Sequence, residues 1–297
     1  MELGQLRALR ELRDRGSIAA VAASLHVTPS SVSQQLAALQ RGSAAPLTRR
    51  DGRRTVLTDA GYALASAAVG VEVALERARQ AVRDFQTEPA GTVSVAAFTS
   101  AGSAFFAPLL AEFTDPLGPQ LQLSDADVTQ DDFPALTAQH DLVVAHRLAG
   151  SARWPDSVSI EPLLFEPLDI ALSTHHRLAT RRSLTPDDLR GESWVAVHEG
   201  FPLEGALVSI LGTSEVRISH RINEFAMAVS IVAASGCLTL MPRYTMPYHP
   251  DVVLLPLEQP RLGRQIDCLA RPETLERLNV RLVLASLGSI ATRLTQA

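Results

Sequence analysis

Four arginines near the N-terminus are spaced so that they could bind a polyanion. Residues 48–57 carry them in two pairs around Asp51-Gly52, as Arg49, Arg50, Arg53 and Arg54. Asp-Gly is a strong signal for the tight turn of a β-hairpin, so the arginines are predicted to lie on its two strands. Cations held this close repel one another unless phosphates neutralise them. The segment therefore predicts a DNA-binding hairpin, and a solvated charged hairpin is the alternative.

A second polar group lies on one face of a predicted helix. Thr28-Pro29 is a helix start, with threonine as N-cap and proline at the first helical position. Val32, Leu36 and Leu39 then recur at the spacing of a buried face. The opposite face carries uncharged hydroxyl and amide side chains: Ser30, Ser31, Ser33, Gln34 and Gln35. Such groups donate to and accept from base edges in the major groove, although a solvated polar face would have the same composition.

The first 58 residues also contain the elements that would position both groups. Leucines recurring at helical spacing predict a first helix, which Gly16 ends. Ser17 is placed to cap a second helix, and His26-Val27 forms the turn that precedes the third. Together with the basic hairpin, these helices predict a winged helix-turn-helix domain over residues 1–58.

The charge distribution agrees with a DNA-binding head. Residues 1–60 contain nine arginines and five acidic residues, a net charge of +4, whereas the other residues carry −9 within an overall charge of −5. A basic head on an acidic body predicts that only the head meets a polyanion. Double-stranded DNA is therefore the expected partner.

Residues 59–88 are predicted to form a long helix with Thr58 as its N-cap. Small and apolar residues recur along it in alternating steps of four and three: Leu64, Ala68, Val71, Leu75, Ala78, Val82 and Phe85. This heptad spacing is typical of a seam between two helices and predicts a homodimer. A helix that packs within its own chain is the alternative. Residues 87–92, which include a proline and a glycine, would end the helix in a hinge.

The remaining residues, 89–297, alternate between strand-like and helical runs. The predicted strands are 92–98, 121–128, 141–145, 168–172, 194–197, 216–222, 237–241, 252–257 and 266–269. The predicted helices include 105–113, 186–189, 225–234 and 280–294. Continuous apolar strands that alternate with helices indicate parallel α/β sheets.

The sequence shows no catalytic motif. The spacings of a nucleophile elbow, a zinc protease, paired cysteines, a P-loop and a dinucleotide fingerprint are all absent, so no enzymatic activity, cofactor or metal is expected. His175 and His176 are adjacent and would face opposite ways in an extended segment, which suits a metal poorly. Cys237 and Cys268 lie in apolar runs and are predicted core residues, with redox sensing as the alternative.

The cellular setting is predicted from the cysteines and the hydropathy pattern. Two cysteines cannot build a disulfide framework, which favours the cytoplasm. The uncharged run at 225–242 contains Gly236 and Pro242, so it is predicted to form a buried helix and a strand rather than a membrane span.

One segment is suited to a small ligand. The predicted strand at 93–98 ends in Thr99-Ser100-Ala101-Gly102-Ser103, directly before a helix. Hydroxyls and free N–H groups at a helix N-terminus, at the carboxyl end of a strand, favour a carboxylate or a phosphate. The sequence therefore predicts an anionic effector, and N-capping by Ser100 or Ser103 is the alternative.

Residues dispersed through the head form a family pattern. They are Gly16-Ser17, Val21-Ala22, Leu25, Thr28, Val32-Ser33, Gln35, Leu36, Leu39, Leu47, Arg50, Leu57-Thr58 and Ala60-Gly61. With an α/β domain of this size behind them, the chain resembles a LysR-type transcriptional regulator over its whole length. The chain departs from the residues usual in that family at Pro29, Gln40, Ser43 and Thr48. These departures bear on the details of operator choice and of wing packing.

The resemblance implies a fold and an assembly. The fold would be a winged helix-turn-helix, a long linker helix and a C-terminal periplasmic-binding-protein-like α/β effector domain. Its subdomain I would comprise 91–163 with 267–297, and subdomain II would comprise 164–266. The effector cleft between them would include, by position, Thr99, Ser100, Ala101, Thr129, His146, His198, Phe201 and Phe225. The chain would assemble as a homodimer or homotetramer that bends DNA.

Other classes share only part of these features. A solute-binding protein would have the α/β fold but no use for a basic head, and an enzyme would need a catalytic constellation. A regulator without a ligand is a further alternative. We therefore expect a DNA-binding transcription regulator controlled by a small-molecule effector.

Overall fold

The computed structural model describes residues 1–52, 54–83, 90–148, 150–199, 203–211, 217–246, 248–259 and 262–296. The side chains of Arg83 and Glu204 are not part of this description. The described residues form a helical head with a β-hairpin, a long helix and a larger α/β domain.

The head has the predicted winged helix-turn-helix arrangement. Its elements are α1 (Leu3–Arg15), α2 (Ile18–Ser24), α3 (Pro29–Arg41), β1 (Thr48–Asp51) and β2 (Arg54–Leu57), and the two strands pair antiparallel. The Ser17 hydroxyl accepts from the Ala20 N–H, and the Thr28 hydroxyl accepts from the Ser31 N–H, so both predicted caps are confirmed. His26, in the turn between α2 and α3, has the left-handed φ of 52°.

A buried apolar cluster holds these elements together. Its fully buried members include Leu6, Leu9, Leu12, Val21, Ala22, Val32, Leu36, Leu39, Leu47 and Leu57. Leu47 and Leu57 flank the hairpin, so the base of the wing is anchored in the same core as the helices. Because Val32, Leu36 and Leu39 take the inner face of α3, its polar face lies on the outside.

The linker helix α4 (Asp59–Arg83) begins where the sequence predicts, since the Thr58 hydroxyl accepts from the Gly61 N–H at 3.1 Å. Ala65 and Ala68 pack into the head core. The assignment of Ala68 to an intermolecular seam is therefore wrong, because α1 of the same chain covers that side of the helix.

The exposed side of α4 is displaced from the predicted seam. Val71, Ala78 and Val82 are exposed, as a seam requires, whereas Leu64 and Leu75 are half-buried. Exposed small and apolar residues recur in steps of three or four and form what we call the α4 stripe: Ala63, Ala67, Gly70, Val71, Ala74, Ala78, Ala81 and Val82. Phe85, the last predicted seam residue, lies outside the described residues.

Ion pairs join the head and α4 to the α/β domain. The buried Arg10 of α1 contacts Glu72 of α4 and donates to Glu273 at 2.7 Å. In the opposite direction, Arg271 donates to Glu11 of α1 at 2.5 Å. Removing one partner of a buried pair leaves an uncompensated charge, so these contacts resist separation of the head from the body.

The first subdomain of the α/β domain is a sheet covered by helices. Its elements are β3 (Gly91–Ala97), α5 (Thr99–Glu112), β4 (Pro119–Asp125), α6 (Phe133–Leu136), β5 (Leu142–Leu148) and the first part of β6 (Ser159–Ser173). A strand and a helix near the C-terminus, whose bounds follow below, complete this subdomain. β3 is parallel to both β4 and β5, so the carboxyl ends of these strands lie together.

The second subdomain continues from the end of β6. It contains the 3-10 helix Pro186–Leu189, β7 (Ser193–Ala196), α7 (Glu204–Leu211), β8 (Arg217–Arg221), α8 (Phe225–Ala234), β9 (Thr239–Pro242) and β10 (Val252–Leu255). The chain then returns to the first subdomain through β11 (Gly263–Ala270) and α9 (Leu278–Gln296). Among the elements of the two subdomains, α6 and α7 were not predicted from the sequence.

The prediction of parallel sheets holds for only part of the large sheet, where β3 is parallel to β4 and β5. Among the described strands, seven form one sheet, with β10-β6-β11-β5-β3-β4 in order and β9 paired to β6. The pairings that β6 and β11 make in it are antiparallel. Helices bury both faces of a strand whatever its direction, so a continuous apolar run indicates burial but not direction.

Separate buried clusters mark the two subdomains. One cluster extends from Val93 to Leu164 and resumes at Ile266, whereas other clusters contain buried residues between Leu168 and Leu257. The chain thus crosses between the two subdomains along β6 and returns just before β11. A cleft lies between the two subdomains. No helix among the described residues is long and apolar enough to span a membrane.

Gly61 sits at a close approach between α4 and the base of the wing. A Cβ atom at this position would lie 2.0 Å from the Leu47 carbonyl oxygen, whereas a Cβ at Gly4 of α1 would meet nothing within 4 Å. We expect Gly61→Ala to destabilise the head by about 1–3 kcal/mol, because α4 would have to move away from backbone. Gly4→Ala should be neutral or slightly stabilising.

The helical signal in circular dichroism, followed during denaturant unfolding, measures this change in stability. Tryptophan fluorescence follows the α/β domain separately, because both tryptophans, Trp154 and Trp194, lie in it. Equal stability of the Gly61→Ala and Gly4→Ala proteins would show that α4 does not need this close approach.

Candidate functional site

The outer face of α3 offers polar groups to the surroundings. Ser30, Ser33 and Gln34 are exposed, whereas Ser31 and Gln35 are half-buried. The Ser33 hydroxyl donates to the Pro29 carbonyl within the helix. The Gln34 side chain forms no hydrogen bond with a described residue, so its amide is free to bind a base edge.

The wing places unneutralised arginines beside this face. Arg49, Arg50 and Arg54 are exposed, and none of them forms an ion pair with another described residue. Arg53 lies outside the described residues. Arg10 of α1, in contrast, has acidic partners. Positive charge without an internal counter-charge is available for phosphates, and the wing has it.

A cavity of about 310 Å³ lies between the two subdomains of the α/β domain. The first subdomain and β11 line it with Phe98, Thr99, Ser100, Ser103, Ala104, Asp127, Val128, His146 and Arg264. The second subdomain adds Val197, Leu203, Asn223, Glu224, Phe225, Ala226, Tyr244, Thr245 and Met246, and Leu294 of α9 completes the lining. Parallel β3, β4 and β5 end here, so the cavity occupies the usual ligand position of an open α/β sheet.

The predicted effector residues are only partly brought together. Thr99, Ser100, His146 and Phe225 line the cavity.

Three others of the predicted set do not line it. Ala101 is fully buried in the core, the Thr129 hydroxyl donates to Asp132, and His198 is exposed. The backbone N–H of His198 donates to the Asn223 side chain at 2.8 Å. The structure does not place these three side chains on the cavity, because position along a strand end does not determine which side chains face the cleft. Phe201 lies outside the described residues.

Arg264 is the principal residue that sequence reasoning missed. It is buried in β11 and donates through Nε to Glu166 at 2.9 Å and through Nη2 to Ser100 and Thr245, each at 2.9 Å. Its guanidinium also lies 4.7 Å from the centre of the Phe98 ring. Burial lowers the pKa of Arg264 and Glu166 opposes that shift, so the guanidinium remains protonated. No local signal pointed to it, because Arg264 precedes the predicted strand at 266–269 and its burial depends on pairing with β5 and β6.

The helix N-termini at the cavity already hold carboxylates. At α5, Asp127 accepts from the Thr99 N–H at 3.0 Å and from the Thr99 hydroxyl at 2.7 Å. At α8, Glu224 accepts from the N–H groups of Ala226 and Met227. Of the donors predicted over 99–103, those of Thr99 are thus already taken by Asp127, and the alternative, capping by Ser100 or Ser103, is not observed.

His146 forms the wall of the cavity against the core. Its ring lies 4.5 Å from the Phe98 ring and 5.6 Å from the Phe133 ring, measured between centroids. Its Nδ1 atom is buried and has no hydrogen-bond partner among the described residues. Burial, with a smaller contribution from the Arg264 charge, lowers the pKa of His146 to about 3. The ring is therefore neutral at physiological pH.

The cysteines are separate from the cavity lining. Cys237 and Cys268 are free and buried in different clusters. Burial raises the pKa of the Cys268 thiol to about 12, which disfavours the reactive thiolate. Among the described residues, no cluster of three or more potential metal ligands occurs.

Both halves of the chain match models of one protein family. Residues 3–62 match the bacterial regulatory helix-turn-helix protein model of the lysR family, and residues 86–290 match the LysR substrate binding domain. The chain belongs to the LysR family.

Curated relatives of this LysR-family chain are distant. The probable RuBisCO transcriptional regulator of Trichormus variabilis is 24% identical over 216 residues, which cover 72% of this chain and 64% of that protein. The regulator MetR of Salmonella typhimurium is 29% identical over 196 residues, covering 65% of this chain and 59% of that protein. The chain thus spans 64% of the length of the first of these relatives.

Solved structures confirm the predicted fold class. Full-length OxyR from Pseudomonas aeruginosa superposes with a TM-score of 0.65 at 17% identity, over 97% of this chain and 94% of that one. CbnR in complex with its target DNA gives a TM-score of 0.53 at 19% identity, over 98% of this chain and 100% of that one. The whole LysR-family architecture, head and effector domain, is therefore present.

The neutral His146 makes the stability of the effector domain depend on pH. Its folded pKa lies below the unfolded value, so the unfolded chain binds the extra proton and stability falls as the pH drops below about 6.5. Between pH 7 and pH 5 this residue should cost about 2 kcal/mol of unfolding free energy. His146→Gln should remove that part of the pH dependence.

Denaturant unfolding at the two pH values, followed by tryptophan fluorescence, tests this expectation. His175→Gln, the same change at an exposed position, should keep the wild-type dependence. If His146→Gln and wild type lost equal stability on acidification, burial would not hold His146 neutral.

Proposed function

We propose that this LysR-family chain is a sequence-specific DNA-binding transcription regulator controlled by a small-molecule effector. The observation that carries the proposal is the contrast between the unpaired arginines of the wing and the uncharged polar face of α3. Phosphate contacts from a wing position a protein on DNA, and amides and hydroxyls on a recognition helix distinguish the bases. The solved complex of CbnR with its target DNA supports this assignment.

The functions divide along the chain. We assign DNA binding to residues 1–58, dimerisation to 59–88 and effector binding to 89–297, with the subdomain boundaries given above. The effector would occupy the cavity lined by Thr99, Ser100, His146 and Phe225. It would act by binding rather than by turnover: the Ser100 hydroxyl accepts from Arg264 instead of facing a general base, which supports a non-catalytic role.

Assembly through α4 is the second part of the proposal. The α4 stripe is exposed, apolar and spaced for a partner helix, and we propose that it forms a homodimer, from which a homotetramer can be built. Two heads at a fixed spacing would supply the specificity that a single head lacks. A regulator that binds bacterial DNA acts in the cytoplasm, where we place this chain.

Gln34→Ala should separate base recognition from phosphate binding. On a genomic fragment selected for tight binding, we expect a loss of about 1–3 kcal/mol, and little loss on random DNA. Arg50→Ala and Arg54→Ala should weaken both complexes and lower the slope of log affinity against log salt by about 0.9 per lost contact.

Fluorescence anisotropy over a range of salt concentrations measures both effects. Arg182→Ala removes the same charge from an exposed site in the effector domain and should leave the affinity and the slope unchanged. An Arg50→Ala slope equal to that of wild type would remove the wing from the DNA interface.

Val71→Asp tests the α4 stripe. Val71 is 47% exposed in the single chain, and an aspartate there would place like charges in an apolar helix pair. We expect the protein to shift toward monomer in sedimentation and to lose specific DNA affinity. Leu117→Asp, at a loop residue that is 57% exposed, should do neither. A Val71→Asp protein that remained dimeric would place the dimer contact elsewhere.

A further inference from the structure

We propose that the cleft selects a small uncharged or cationic effector with an apolar body, and that Asp127 and Glu224 exclude anions from it. This inference rests on the proposed effector-binding function and names the chemical class of its ligand. It departs from the anionic effector that the sequence predicts, because that prediction depended on free donors at a helix N-terminus.

The anion position at α5 is already filled from within the chain. Asp127 takes both the backbone N–H and the hydroxyl of Thr99, at 3.0 and 2.7 Å. Asp127 thereby places a negative charge at the positive end of the helix, where a carboxylate or phosphate would otherwise be favoured. An incoming anion would have to displace Asp127 or lie against it.

The anion position at α8, on the opposite wall, is filled in the same way. Glu224 binds the Ala226 N–H through Oε1 at 2.9 Å and the Met227 N–H through Oε2 at 2.7 Å. Asp127 and Glu224 come from different subdomains, and both line the cavity. A ligand between the subdomains therefore meets a carboxylate on each side.

Arg264, the cation of the lining, does not compensate for them. Its guanidinium is paired with the fully buried Glu166, with Nη2 and Oε2 2.8 Å apart, and also binds Ser100 and Thr245. An anionic ligand would add a further negative charge around a guanidinium that already has its counter-charge. Such crowding of like charges disfavours anions.

His146 lines the cavity without supplying charge. It is 7% exposed, lines the cavity, and leaves its buried Nδ1 without a partner among the described residues. Phe98, Phe225 and Met246 line the cavity as well, and suit an apolar body.

Three probes of equal size separate the charge classes: benzoate, benzamide and benzylamine. Titrated into the full-length protein at neutral pH and low salt, benzamide and benzylamine should bind at least about tenfold more tightly than benzoate. Broadening of the ligands' NMR resonances detects binding in the millimolar range. Benzoate binding as tightly as the other two would overturn the proposal.

A double variant, Asp127→Asn with Glu224→Gln, tests the assigned residues. Each amide keeps one oxygen that can accept a helix N–H, so one of the two bonds at each helix end is retained and the charge is removed. We expect benzoate to gain about tenfold in affinity and benzylamine to lose affinity. The control, Asp125→Asn with Glu161→Gln, makes the same charge change at exposed residues outside the cavity lining and should match wild type.

The remaining outcomes test the role of Asp127 and Glu224 separately from the proposed regulator function. If wild type binds none of the probes but the double variant binds benzoate, Asp127 and Glu224 do exclude anions. If the double variant shows no gain of benzoate binding, the assignment of these residues is overturned. Probe binding is measured without DNA, so a failure of DNA binding would refute the regulator function while leaving the charge preference standing.

Discussion

The buried ion pair between Arg264 and Glu166 is the constraint around which the effector domain is arranged. It joins β11 to β6, the strands that pass between the two subdomains. The same guanidinium binds Ser100 of α5, in the first subdomain, and Thr245, in the second. Breaking a buried pair by removing one partner typically costs about 3–5 kcal/mol. The floor of the cleft and the junction of the subdomains therefore both depend on the guanidinium of Arg264.

The same strand connects the cleft to the DNA-binding head. Arg264 lies near the start of β11, and Arg271 follows directly after its end and binds Glu11 and Asp14 of α1. Seven residues of strand cover about 23 Å. β11 is hydrogen-bonded on both sides, to β5 and β6, so it is a stiff element with a cavity-lining residue at one end and a head contact directly after the other. A continuous set of contacts thus links the two sites.

Arginine has two roles in the head, and the surroundings decide which. Arg10 and Arg15 face acidic partners and hold the head together or fix it to the body. Arg50 and Arg54, on the wing, have no ion-pair partner among the described residues. Two of the five acidic residues in 1–60, Glu11 and Asp14, pair with Arg271 where the head meets the effector domain, away from the wing.

The sequence by itself determined the features that depend on neighbouring residues. The Thr28 cap and Pro29 start of α3, the hairpin around Asp51-Gly52 and the exact range of α8 follow from local backbone preferences and from periodicity. These interactions act over a few residues, so their signals are present in any short window. The wing and the recognition helix were found in this way, with their polar side chains.

Only the tertiary structure decided the features that join distant parts of the chain. Asp127 lies 28 residues from the Thr99 that it caps, and Arg264 lies 164 residues from Ser100. Strand direction in the sheet, and the packing of Ala68 into the core of the head of its own chain, likewise depend on which elements become neighbours. The charge of the cleft is set by such long-range contacts, because a carboxylate from the same chain can take a helix N-terminus only after folding brings the two together.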